Sequence, residues 1–168
     1  MINSYIALGY KCNHNCLNCP LSTYDRLHGQ LDPNVIKKNI AALSSYTNNL
    51  HITISGGEPT LNPSFFEVLE ILGKANANIT ILSNATKCKD EDFVMKIIES
   101  LGTDYDLRRL RYITAIHSFN KEVHDKLTNA VGSFDETIKG LKNLDKNNFH
   151  ITIKNIMNKV TAKDMKDT

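Results

Sequence analysis

Short apolar runs rich in β-branched residues recur along the chain, separated by longer stretches with helical periodicity. The runs are Tyr5 to Leu8, His51 to Ile54, Ile79 to Leu82, Tyr112 to His117 and Ile151 to Ile156. Most alternate apolar and polar positions, as in Ile52-Thr53-Ile54 and Ile151-Thr152-Ile153, which is the period of a strand. Between them Ile36, Ile40 and Leu43 mark one helical face behind Asp32-Pro33, an N-cap followed by a first-turn proline. Phe65, Val68, Leu69 and Leu72 form a second stripe, and Val94, Ile97, Ile98 and Leu101 a third that stops at Gly102. Phe134, Ile138, Leu141 and Leu144 form a fourth. Ser64 with Glu67, and Ser133 with Glu136, fit capping boxes that would start two of these helices.

Strands alternating with helices predict an α/β fold with a parallel sheet. About five βα units are present, whereas a complete eight-fold barrel runs to about 250 residues, so the expectation is a partial TIM-like barrel. A chain of 168 residues buries roughly 70% of its unfolded surface, enough for one domain spanning 1–168. The tail from Asn158 to Thr168 reads as a helix begun and cut short, and a fifth strand at an open edge suggests truncation at the C-terminus. Such a piece is expected to be an incomplete catalyst.

Composition narrows the class without naming a partner. A hydrophobic share of 41%, a charged share of 23% and a net charge of +2 lack the basic excess that nucleic-acid binding needs. No apolar run approaches the ~20 residues that span a bilayer, and the N-terminus lacks the build of a signal peptide, so no membrane partner and a cytoplasmic location are expected.

Three of the four cysteines lie within eight residues, in Lys11-Cys12-Asn13-His14-Asn15-Cys16-Leu17-Asn18-Cys19-Pro20, and Cys88 stands apart. That is a poor disulfide framework and a reasonable metal framework in a reducing compartment. Cys88, in the polar run from Ala85 to Asp90, reads as a bystander thiol in a loop. The triplet directly follows the first strand, and so falls at the carboxyl end of the sheet, where parallel α/β folds carry their active sites. Thiolates suit zinc and iron-sulfur clusters alike. Structural zinc would need Cys12, Cys16, Cys19 and a fourth ligand, such as His14. A cubane held by three thiolates would instead leave one iron open to a small molecule.

The run Ser55-Gly56-Gly57-Glu58-Pro59 follows the second strand on the same end of the sheet. A Gly-Gly pair alone is most often only a turn. Beside an open-cornered cluster, two glycines let the backbone approach a ligand, and carbonyls with the Glu58 carboxylate make a receptor for an amino group. A valine at Gly57 is then expected to keep the cluster and exclude the ligand.

Together the cysteine triplet and the Gly56-Gly57-Glu58-Pro59 turn resemble the radical S-adenosylmethionine (radical SAM) superfamily, over essentially the whole chain. The resemblance continues in Ser83-Asn84-Ala85, His117-Ser118-Phe119-Asn120, His124-Asp125, Gly132-Ser133-Phe134 and Thr137-Ile138-Lys139-Gly140. These later stretches are similar to members that modify peptides or build cofactors, often with a further cluster domain.

The resemblance implies a 4Fe-4S cluster on Cys12, Cys16 and Cys19, with S-adenosylmethionine chelating the open iron through its amino and carboxylate groups. Gly56, Gly57, Glu58 and Pro59 would face the methionine end, and Ser83, Asn84, His117 and Ser118 would supply further cofactor contacts. Ala115 stands where many relatives have a hydroxyl residue, so those contacts would pass to His117, Ser118 or Ser83. Asn18 departs from the aromatic residue that often precedes the last cysteine. Reductive cleavage to a 5'-deoxyadenosyl radical is implied, with an external electron donor of flavodoxin or ferredoxin type and a small-molecule or peptide substrate.

On the residues alone, His117 also reads as a strand-end polar residue satisfied by a neighbour. His124 and Asp125 read as surface of a helix or loop. Two other functions fit part of the pattern: an activase that places a radical on a partner's glycine, and a non-catalytic zinc or iron-sulfur module, which leaves the glycine turn without a role.

Overall fold

The computed structural model of the protein describes residues 1–21, 29, 31–155 and 161. Strands β1 (Ile2–Ala7), β2 (Leu50–Ser55), β3 (Asn78–Leu82), β4 (Leu110–Ala115) and β5 (His150–Lys154) form one sheet in the order β1-β2-β3-β4-β5. Every neighbouring pair is parallel. The connections carry helices α1 (Pro33–Tyr46), α2 (Phe65–Lys74), α3 (Glu91–Leu101), α4 (Lys121–Thr128) and α5 (Ser133–Lys146). This is the α/β arrangement expected, an open parallel sheet of barrel type. Thr161 is the only residue beyond Asn155 that is described, so the end of the expected fifth strand at Ile156 and the expected terminal helix lie outside the described residues, Thr161 excepted.

Register explains why the strands alternate instead of reading as continuous apolar runs. Ile52, Ile79 and Leu110 stand side by side across β2, β3 and β4, and Ile54, Ile81 and Tyr112 form the next row on the same face. All six are fully buried, in one core with Phe65, Val68, Leu69 and Leu72 of α2, Val94 and Ile97 of α3, and Leu144 of α5. The intervening row, Thr53, Thr80 and Arg111, faces the other way. A parallel sheet covered on both faces would read as unbroken Val, Ile and Leu. Here the helices of the core cover one face.

Local signals hold at two helices and fail at two. Asp32 caps α1 by accepting the Asn34 N–H at 2.9 Å, with Pro33 in the first turn, and Gly102 ends α3 at a φ of +91°. Neither capping box forms. Ser64 makes no side-chain cap, and its own N–H is taken by Asn62 Oδ1 at 2.8 Å. Ser133 is the first residue inside α5, behind Gly132.

The start of α5 is capped from a distance in sequence by Asp125. Its carboxylate accepts the Gly132 N–H at 2.6 Å, the Phe134 N–H at 2.8 Å and the Ser133 hydroxyl at 3.0 Å. Two ionic charge-assisted bonds to backbone outcompete what a serine offers, and Glu136 is drawn instead into an ion pair with Lys89. Asp125 is therefore a helix cap and not free surface.

Strand β4 begins at Leu110 and stops at Ala115, two residues short of the expected end. Ile116 still donates its N–H to the Lys154 carbonyl, but His117 donates its own N–H to the His124 ring, which turns the chain out of the sheet. His117 therefore lies in the turn beyond β4 and not in the strand.

Replacing Asp125 by alanine removes three acceptor contacts at one helix start. The variant is expected to lose about 1–2 kcal/mol of stability, read as a lower denaturant midpoint at unchanged slope, with Asp125→Asn recovering part of the loss.

Candidate cofactor site at the carboxyl end of the sheet

After β1 the chain from Leu8 to Pro20 has no helix or strand of its own, so its course is set by what it binds. On one side it pairs with the turn after β2: Gly57 donates its N–H to the Gly9 carbonyl at 2.9 Å, and Glu58 to the Lys11 carbonyl at 2.8 Å. On the other it rests on the end of α4, where Asn15 and Leu17 donate to the Thr128 and Leu127 carbonyls at 3.0 and 2.9 Å. A helix leaves its last carbonyls unpaired, and the cysteine loop takes two of them. Between these anchors Asn13 accepts from the Asn84 side chain at 2.8 Å and donates to Thr86 Oγ1 at 2.9 Å.

The glycines are required by this docking. A Cβ on Gly57 would lie 2.4 Å from the Tyr10 carbonyl oxygen and 2.5 Å from that of Lys11, and one on Gly56 would lie 2.3 Å from the Gly9 oxygen. Those neighbours are backbone of the cysteine loop. The expectation that a side chain at Gly57 spares the cysteines is therefore reversed, because it would displace the loop that carries them.

Glu58 is buried at 3% exposure, and its carboxylate has four donors. Oε1 accepts from the Thr60 N–H at 3.1 Å, the Thr60 hydroxyl at 2.6 Å and the Ser83 hydroxyl at 2.8 Å, while Oε2 accepts the Asn84 N–H at 2.7 Å. Burial pushes its pKa up, and these hydrogen bonds oppose the rise. The network extends inward. Cys88 donates to the Tyr112 hydroxyl at 3.3 Å, and Tyr112 donates to Ser83 at 2.7 Å, so a directed chain of donors ends on the Glu58 carboxylate. Cys88 sits fully buried in a short 3-10 turn (Thr86–Lys89), which corrects its reading as a loop thiol, and burial pushes its pKa up to about 12. It is an inert core thiol.

One cavity of about 280 Å³ collects most of the expected site. Cys12, Cys16 and Cys19 line it together with Gly56, Gly57, Glu58, Ser83, Asn84 and His117. Pro59 and Ser118 do not. Pro59 is buried as the first residue of a 3-10 turn (Pro59–Leu61), and Ser118 accepts the Asn120 N–H at 3.0 Å within its own turn. Among the described residues, no three of His, Cys, Asp and Glu stand close enough to hold a single metal ion.

Histidines supply the part of the site that the sequence hid. His14, His117 and His124 are all buried and all line the cavity. The rings of His117 and His124 are 5.6 Å apart, and the far side of His124 meets the Phe134 ring at 5.5 Å. Burial lowers the pKa of each, that of His124 to about 4, so at neutral pH they are uncharged imidazoles. His124 is thus not surface, and His117 Nδ1 has no hydrogen-bond partner that would make it a satisfied strand-end residue. An apolar stripe from Val123 to Leu127 on a short amphipathic helix was the available signal for α4.

A family model described as the Radical SAM superfamily matches residues 6–168. The chain belongs to the radical SAM superfamily. Among curated proteins it is similar to an AdoMet-dependent heme synthase of Methanosarcina barkeri, at 27% identity over 94% of this chain and 43% of that protein. It is also similar to the subtilosin biosynthesis protein AlbA of Bacillus subtilis, at 26% identity over 90% of this chain and 32% of AlbA. This radical SAM chain therefore spans less than half the length of these relatives. Its fold matches that of Streptococcus suis SuiB, solved with S-adenosylmethionine bound, at a TM-score of 0.76 and 16% identity, covering 98% of this chain and 36% of SuiB.

Two substitutions separate the roles just described. Gly57→Ala is expected to prevent the cysteine loop from docking, so that iron uptake on anaerobic reconstitution falls together with ligand binding; normal iron content in that variant would contradict the packing account. Ser83→Ala leaves the buried Tyr112 hydroxyl without its acceptor and Glu58 without one donor, and is expected to cost about 2–3 kcal/mol in denaturant unfolding.

Proposed function

We propose that this chain is the radical-generating core of a radical SAM enzyme that modifies a peptide or builds a cofactor. The observation that carries the reading is that the three cysteines and the Gly56-Gly57-Glu58 turn line one cavity. Residues 1–168 would form one domain of that core.

The donor set fits a 4Fe-4S cluster better than a single zinc ion. Tetrahedral zinc with Zn–S bonds of ~2.3 Å needs its sulfurs about 3.8 Å apart, and no such group exists among the described residues. A cubane asks each of Cys12, Cys16 and Cys19 to reach a different iron, which a spread tripod allows. The chemistry supplied by the bound group is reductive cleavage of S-adenosylmethionine to methionine and a 5'-deoxyadenosyl radical, which takes a hydrogen atom from the substrate. An external one-electron donor of flavodoxin or ferredoxin type is required.

The chain's own residues bind and orient. The Gly56-Gly57 backbone and the Glu58 carboxylate form the acceptor side of the cavity and suit the methionine ammonium. Ser83, Asn84 and Thr60 fix the carboxylate, and the side chain of Asn84 ties it in turn to Asn13 of the cysteine loop. His117, which lines the same cavity, adds a buried ring nitrogen without a hydrogen-bond partner.

Anaerobic reconstitution with iron and sulfide is expected to give broad visible absorption that dithionite bleaches. Cys12→Ala, Cys16→Ala or Cys19→Ala should each abolish it, whereas Cys88→Ala should retain it. Stoichiometric zinc without iron uptake, in protein prepared without oxygen, would overturn the assignment.

A further inference from the structure

Asn84 follows β3 and lines the cavity, and every polar group it has is bonded. Its N–H goes to Glu58 Oε2 at 2.7 Å and its side-chain nitrogen to Asn13 Oδ1 of the cysteine loop at 2.8 Å. Its side-chain oxygen accepts from the N–H and the hydroxyl of Thr86, at 3.1 and 2.9 Å. The main-chain carbonyl remains. It accepts the hydroxyl of Thr137 in α5 at 3.0 Å, and Thr137 is itself buried at 1% exposure.

The next residue is strained. Ala85 is buried with φ +63° and ψ +3°, in the left-handed region that a residue with a Cβ keeps only where its surroundings impose it. Two of the impositions are local: Ala85 donates its N–H to Ser83 Oγ at 3.1 Å, and its carbonyl accepts the Cys88 N–H at 3.0 Å. The others come from α5. A Cβ on Gly140 would lie 2.2 Å from the Ala85 carbonyl oxygen and 3.3 Å from Cys88 Cβ, so the helix backbone comes as near to the turn as a glycine allows. Asn143 then donates to the Cys88 and Lys89 carbonyls at 2.9 and 3.0 Å. Thr137, Gly140 and Asn143, spaced three apart along the helix, thus grip one turn from outside the cavity, which none of them lines.

We propose that Thr137 is a positioning residue for the cofactor site: by holding the strained Asn84–Ala85 peptide, it aims the Asn84 N–H at Glu58 and the Asn84 side chain at the cysteine loop. The inference rests on the reading of the cavity as the S-adenosylmethionine site. A second route joins the same parts. Asp125 of α4 caps α5, and the end of α4 carries the cysteine loop, so loop, turn, α5 and α4 close a ring of contacts in which Thr137 is one link.

Two measurements test this on wild type, Thr137→Val, Thr137→Ser and Asn143→Ala. The first is amide hydrogen exchange in the metal-free protein. Thr137→Val removes the donor and keeps the branched shape, and the Asn84 N–H is expected to exchange about tenfold faster while that of Ile81 within β3 stays within about twofold. Thr137→Ser, which keeps the hydroxyl, should restore most of the protection. Asn143→Ala is the structural control: it frees the far end of the turn and lowers the denaturant midpoint, with Asn84 exchange unchanged within about twofold. The second measurement titrates S-adenosylmethionine into cluster-loaded protein without oxygen, expressed per loaded cluster. Its dissociation constant is expected to rise about fivefold in Thr137→Val and to stay within about twofold of wild type in Thr137→Ser and Asn143→Ala. Equal acceleration of Asn84 and Ile81, no acceleration, unchanged affinity in Thr137→Val, or an affinity loss that Asn143→Ala reproduces would each overturn the positioning role while the cavity assignment stands. If loaded wild-type protein binds no S-adenosylmethionine, the cavity assignment falls and the cofactor role of Thr137 with it, whatever the exchange rates.

Discussion

A buried carboxylate holds this site together. Glu58 sits where the turn after β2 meets the end of β3, and a charge or polar group placed there is tolerated only if its oxygens are filled. Thr60, Ser83 and Asn84 fill them. The consequence spreads outward. Asn84, fixed through its N–H on Glu58, turns its side chain to Asn13 in the cysteine loop. Ser83, fixed through its hydroxyl, accepts from Tyr112 and so reaches the core face of β4. One side chain thereby couples the hydrophobic rows of the sheet to the position of the cysteines. The same burial makes Glu58 expensive to leave unpaired, so its four donors are structural before they are functional.

What could be read from the sequence was whatever depends on neighbours in the chain. Alternation at Ile52-Thr53-Ile54 identified a strand because the residues on either face differ in burial, and the stripe Phe65, Val68, Leu69, Leu72 identified α2 because all four face one core. Cysteine spacing and the Gly-Gly turn are equally local. What escaped depends on contacts between segments far apart. Ser133 with Glu136 has the form of a capping box, yet Asp125 takes the cap and Lys89 takes the glutamate. Nothing near Ser133 announces either competitor. His124 looked like surface because the polar residues Lys121, Glu122, Asp125 and Lys126 surround it in sequence. It is buried because α4 packs at the end of β4, against His117 and Phe134.

Gly57 shows a subtler gap. A glycine beside a ligand site suggests space reserved for the ligand, and the inference is sound when the missing Cβ points into the cavity. Here the missing Cβ points at the Tyr10 and Lys11 carbonyls. The glycine serves the ligand site at one remove, by letting the segment that bears the metal ligands lie flat on the turn.

The cysteine loop has little structure of its own, and this sets how metal uptake and folding are linked. Its backbone bonds go to Gly57 and Glu58 after β2, and to Leu127 and Thr128 at the end of α4. The two anchors come from segments separated by most of the sheet, so the loop's shape depends on β1 to β4 being in place. In a structural zinc finger the metal organises an otherwise unfolded segment. Here the carbonyls of α4 and the glycine turn hold the loop by backbone hydrogen bonds, so Cys12, Cys16 and Cys19 line one cavity through contacts that the protein itself supplies. A loop built in this way brings its three cysteines to one cavity without gathering them into a single-ion site, which suits a multi-iron group with one position left for a ligand.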